Sequence, residues 1–136
     1  MSTPARLRPT VIALSAVVLA CLAACQGRDT KAVAVVQGEF ALLTLPAGIT
    51  STDPRVGLGE MYAEGTQAYC VNDAKAGQTA LDSMLRNAGW EPVSNSTTGD
   101  TPSWHYRKSQ RLGALTLEAQ PQQCGRRFRV DVLEPL

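Results

Sequence analysis

The sequence predicts an α+β domain: one main helix packed on an antiparallel sheet of about four to six strands, with one disulfide. Three observations carry that reading. Leu81, Met84, Leu85 and Ala88 recur at helical spacing. From Trp90 onward the apolar period changes to two, the period of a strand. Cys70 and Cys124 are the only cysteines beyond residue 25.

The elements follow in chain order. Val33 to Val36 and Phe40 to Leu45 are apolar, β-rich runs separated by Gln37-Gly38-Glu39 and ended by Pro46, and they read as core strands. Residues 46–66 carry Pro46, Gly48, Asp53-Pro54, Gly57, Gly59 and Gly65, a loop-rich stretch with a short helix expected around Gly59 to Ala63. Gly57-x-Gly59 neither follows a convincing strand nor opens a phosphate-binding helix, so it is not read as a nucleotide loop. Gln67 to Val71 reads as a short strand carrying Cys70.

The main helix comes next. Asn72 or Asp73 can cap its start, and Gly89 stands where a left-handed residue would end it. Met84 and the leucines read as core, and Trp90 should pack under the helix end. Trp90 to Ser94 is expected as a strand and Asn95 to Pro102 as a turn rich in Ser, Thr, Gly and Asp. Asn95-Ser96-Thr97 matches a glycosylation sequon but reads as turn chemistry. In the next strand Trp104, Tyr106 and Lys108 alternate with His105 and Arg107. Leu112 to Ala119 is another, with Leu115 and Leu117 inward. A turn through Gln120-Pro121-Gln122-Gln123 leads to Cys124 and Gly125. The last strand sets Phe128, Val130 and Val132 against Arg127, Arg129 and Asp131. This is a meander with a helix across one face.

Residues 1–24 stand apart from the domain. Arg6 and Arg8 precede a run without charge from Val11 to Ala24, too short for the ~20 apolar residues that span a bilayer. The run ends in Leu22-Ala23-Ala24-Cys25, which resembles the lipobox of bacterial lipoproteins: an apolar residue, two small ones, then cysteine. Val18-Leu19-Ala20-Cys21 is a poorer box because Leu19 is bulky, and an A-x-A-like site for ordinary cleavage is hard to find near Ala24. The resemblance implies a signal peptide over 1–24, cleavage before Cys25 and acyl chains on that residue. Two or three chains make a stable anchor at ~0.8 kcal/mol per buried methylene. In lipoproteins of two-membrane bacteria Asp after the lipidated cysteine signals inner-membrane retention, so with Gln26 there the resemblance implies the outer membrane, facing the periplasm. Residues 25–32 are then expected as a lipidated tether reaching no more than about 25 Å, and 33–136 as a single domain.

On that resemblance Cys21 would leave with the leader and Cys25 would take lipid, so Cys70 and Cys124 would remain in a compartment that permits disulfides. Without C-x-x-C spacing the pair reads as a structural staple. Of 13 Lys and Arg, Arg6 and Arg8 leave, so eleven face twelve Asp and Glu in the mature chain. That balance argues against nucleic acid as a partner.

No catalytic constellation is visible. His105 is the only histidine, no acid stands where it would orient that ring, and the carboxylates are scattered. No enzyme, metal or cofactor is expected. The most informative surface feature is basic: His105 and Arg107 on one strand, Arg127 and Arg129 on another. Adjacent strands would join them into a cationic stripe, with Lys108 and Arg111 at its hairpin end. Such a stripe would dock an acidic protein, a lipid headgroup or a sugar polymer. A solvated face, where Arg discourages edge pairing, is the plainer reading. Two function classes follow. One is an envelope lipoprotein that acts as a small binding module, such as an accessory subunit, an inhibitor or an immunity-type protein. The other is an envelope enzyme or solute-binding lipoprotein with a pocket between helix and sheet.

Overall fold

The computed structural model describes residues 26–119 and 123–136. The leader, Cys21, Cys25 and positions 120–122 lie outside the described residues. Among the described residues the fold is α+β: two helices on one face of a seven-stranded antiparallel sheet.

The first helix, α1, covers residues 26–41 and overturns two expectations. Val33 to Val36 and Phe40 are helical, not strands, and residues 26–32 belong to the helix rather than to a loose tether. The cause is packing. Ala32, Val36 and Phe40 recur every four residues and are all buried, forming one stripe along the helix. The strand preference of Val is a weak prior against that burial. No helix among the described residues is long and apolar enough to cross a membrane.

The strands are β1 (Thr50–Ser51), β2 (Arg55–Leu58), β3 (Tyr62–Val71), β4 (Glu91–Thr98), β5 (Thr101–Lys108), β6 (Arg111–Leu117) and β7 (Arg126–Pro135). Their spatial order is β1-β3-β7-β6-β5-β4, and β2 also pairs with β3. The short helix expected around Gly59 to Ala63 is absent; the chain makes a hairpin there, closed by Gly59 N–H donating to Tyr62 O at 2.8 Å. The turn expected over Asn95 to Pro102 shrinks to Gly99-Asp100, because the Ser/Thr-rich run pairs with β5 as far as Thr98.

The second helix, α2 (Ala74–Asn87), matches the sequence pattern closely. Asp73 caps it, its Oδ1 accepting from Ala76 N–H at 2.7 Å. At the other end Gly89 takes φ +93°. Trp90 N–H then reaches Leu85 O and Gly89 N–H reaches Arg86 O, the paired bonds of a glycine-terminated helix. Leu81, Met84 and Leu85 are buried with Trp90, Tyr106, Leu115, Phe128, Val130 and Val132 between helices and sheet.

Two links tie this layer together. Cys70 of β3 bonds to Cys124, just before β7, with Cα atoms 5.8 Å apart. The second link is ionic. Glu39 of α1, only 6% exposed, meets Lys108 Nζ at 2.8 Å and Arg111 Nη1 at 3.1 Å. Arg111 Nε also lies 3.0 Å from Glu134 Oε2, an ion pair without hydrogen-bond alignment. Gln110 donates to Glu134 Oε1 at 2.9 Å. Lys108 and Arg111 therefore lie on the helix side and are not part of any stripe on the opposite face.

Candidate functional site

Strand alternation decides which residues reach the uncovered face of the sheet. Across the β3·β7 register, Gly65, Tyr69 and Val71 share the helix side with Val132, Phe128 and Arg126. Thr66, Ala68 and Cys70 stand on the other side, opposite Asp131, Arg129 and Arg127. Through β6 the same rows continue to β5. Asp131 aligns with Ala114 and His105, Arg129 with Thr116 and Ser103, and Leu133 with Leu112 and Arg107. Both helices pack on the first side, so this second face is the one they leave open.

The four basic residues expected to form a stripe do share that face, but they do not form one. β6 lies between their strands, placing β5 and β7 roughly 9–10 Å apart. Their rows are also staggered along the sheet. Each cation has its own surroundings. Arg129 Nε meets Asp131 Oδ2 at 2.8 Å, and Arg127 Nε lies 3.3 Å from Glu118 Oε1. His105 Nε2 and Ser96 Oγ are 3.1 Å apart. Arg107 is exposed and stands opposite Glu91.

Arg127 and Arg129 are instead brought together with Arg55, which sequence reasoning missed. Two depressions share Arg55, Thr66 and Arg129. The broad one, about 720 Å³, runs over Gly57, Glu64 and Leu133. The narrower one, about 230 Å³, is bounded by Asp53, Glu118 and Arg127. Arg55 reaches the site because β2 pairs with β3 in a register that sets it opposite Thr66. Nothing local in the loop-rich stretch signals that pairing.

Electrostatically the site is mixed. Three guanidinium groups stand among Asp53, Glu64, Glu118 and Asp131. Carboxylates hold Arg127 and Arg129 in place, which limits the side-chain entropy lost when a ligand engages their free edges. Among the described residues no group of three His, Cys, Asp or Glu is placed to hold a metal ion. The pronounced titration shifts lie elsewhere. Burial pushes Tyr69 up to about 12. Tyr106 is also raised, by burial first and then by its 2.6 Å hydrogen bond to Asp82.

No family model, no curated protein and no solved structure matches this chain.

Proposed function

We propose that this chain is an envelope lipoprotein, anchored by acyl chains on Cys25 in the outer membrane and facing the periplasm. There it acts as a small binding module that docks a protein partner. One observation carries the docking reading: a sheet face left open by both helices, with Arg55, Arg127 and Arg129 around two joined depressions. The interleaved carboxylates oppose a uniform polyanion and suit a protein surface of alternating charge. Val36, Phe40, Leu81, Leu85, Tyr106 and Phe128 fill the centre of the layer between helices and sheet, leaving a surface groove beside β4. That packing favours recognition on the surface over capture in a helix–sheet pocket. Leu22-Ala23-Ala24-Cys25 supports the anchor.

The α1 helix changes what the anchor does. From residue 26 to the first buried residue, Ala32, a helix rises about 9 Å. The domain is thus held near the bilayer on a stiff strut.

A photoreactive phenylalanine analogue at Thr66 or Ala114, on the open face, should crosslink to an envelope protein in intact cells. The same probe at Lys75 on α2 should not. Absence of adducts from both open-face positions, or equal adducts from Lys75, would overturn the docking face. Mass spectrometry of the mature N-terminus should find an acylated Cys25, and Cys25→Ser should leave an uncut precursor. A soluble product starting at another residue would remove the lipoprotein assignment.

A further inference from the structure

The strand β4 is the end of the sheet, with β5 as its one neighbour. All eight of its residues are exposed. Its register with β5 fixes which backbone groups point outward. Thr98 and Thr101 flank the two-residue turn Gly99-Asp100, and such a flanking pair exchanges both backbone hydrogen bonds. Ser96 opposite Ser103 and Ser94 opposite His105 repeat that bonded arrangement; Thr97 opposite Pro102 and Asn95 opposite Trp104 are the non-bonded pairs between them. Pro102 fits this assignment, since its missing N–H falls at a non-bonded position. The N–H and C=O groups of Asn95 and Thr97 therefore face away from the sheet.

Natural edges are usually guarded by charge, proline or extreme shortness. Pro92 and the bulge between Pro92 and Ser94 guard only the start of β4. Ser94-Asn95-Ser96-Thr97-Thr98 carries no charge and no proline. The opposite edge is broken into β1 and β2, with Asp53-Pro54 between them. A groove of about 610 Å³ lies on the helix side of this edge, over Trp104 and Tyr106 and between Pro92 to Asn95 and Gln78, Asp82 and Arg86 of α2.

We propose that β4 pairs antiparallel with β4 of a second copy of this chain, on a twofold axis at Ser96. The segment is self-complementary in that register. Asn95 of each copy faces Thr97 of the other, and their outward N–H and C=O groups satisfy one another in four backbone hydrogen bonds. Ser96 meets its own copy as a non-bonded pair. Ser94 faces Thr98 on the open side, a hydroxyl pair of the kind that stabilises antiparallel sheets. The paired residues 94–98 carry no charge, so no like charges oppose within the segment. A twofold contact needs such self-complementarity. The partner strand lies beyond β4 in the plane of the sheet, and two sheets become one.

The register makes the test specific. With the purified full chain under mild oxidation, Ser96→Cys should give a disulfide-linked dimer, because residues on the axis are within bridging distance. Its yield should exceed that of Ser94→Cys or Thr98→Cys by on the order of tenfold, since those residues lie well apart from their own copies. Adding Thr97→Pro should abolish the dimer by removing an outward N–H. Asn95→Lys serves as a second blocking change, with the Cys70–Cys124 bond and circular dichroism confirming a folded chain. Equal yields from all three cysteine variants would overturn the proposal. So would a Ser96→Cys adduct in the native envelope with a protein of another mass in place of the dimer. Neither result touches the docking face, whose probes sit on β3 and β6.

Discussion

The carboxylate of Glu39 and the ammonium group of Lys108 meet at 2.8 Å across 69 positions of sequence. They clamp α1 to the β5–β6 hairpin, and Arg111 joins from the hairpin's other strand. Removing the carboxylate leaves two cations facing each other with little water. Glu39→Ala should cost about 3 kcal/mol, near the low end for a broken buried pair. Lys108 and Arg111 keep roughly a fifth of their side-chain surface exposed, which limits the loss. Urea unfolding of the purified chain measures it; a cost within 0.5 kcal/mol, the range of about any surface change, would mean that the cluster is relaxed.

Gly65 is the point where α1 presses on the sheet. A Cβ there would run into the side chains of Val36 and Phe40. Gly65→Ala should destabilise by about 1–3 kcal/mol through overpacking, and should speed proteolysis within residues 26–41. An unchanged digestion pattern would show that α1 can lift without loss.

The Cys70–Cys124 bond closes a loop with a sequence separation of 54. For that length the chain-entropy model gives about 4 kcal/mol. Cys70→Ser with Cys124→Ser should lower the urea midpoint accordingly and raise the unfolding slope, because the unfolded chain without its cross-link exposes more surface.

Alkaline pH should weaken the fold. Tyr69 and Tyr106 ionise less readily folded than unfolded, so the folded state holds their protons more tightly. Their contribution is complete below the ordinary tyrosine value of 10.0 and is lost as pH rises toward about 12. Stability measured at intervals across that window should fall, and Tyr106→Phe should flatten the fall. A level profile would contradict the shifts.

The parts of the fold that rest on local rules were legible in the sequence. Asp73, Gly89 and the spacing from Leu81 to Ala88 mark α2, because caps and periodicity act within a few residues. The alternation of Phe128, Val130 and Val132 marks β7 for the same reason. The Cys70–Cys124 pair followed from cysteine arithmetic. What escaped depends on distant partners. Val33 to Val36 resembles a strand until the sheet offers Gly65 for Val36 and Phe40 to cover. Glu39 looks like a surface residue until Lys108 and Arg111 arrive. Residues 95–98 have turn composition, yet pairing with β5 extends them. The site suffered most, since Arg55 joins Arg129 through the β2·β3 and β3·β7 registers, neither of which is written locally.

The continuity of α1 gives the proposed anchor a direction as well as a length. A loose leash would let the domain tumble against the bilayer and show any side to its surroundings. A helix running straight into the core carries the domain's orientation back to residue 26 without a flexible joint. One extra residue inserted before Ala32 would lift the domain by only about 1.5 Å but swing it by roughly 100°. The side of α1 from which the chain leaves at residue 26, relative to the arginine face, is thus set by a residue count.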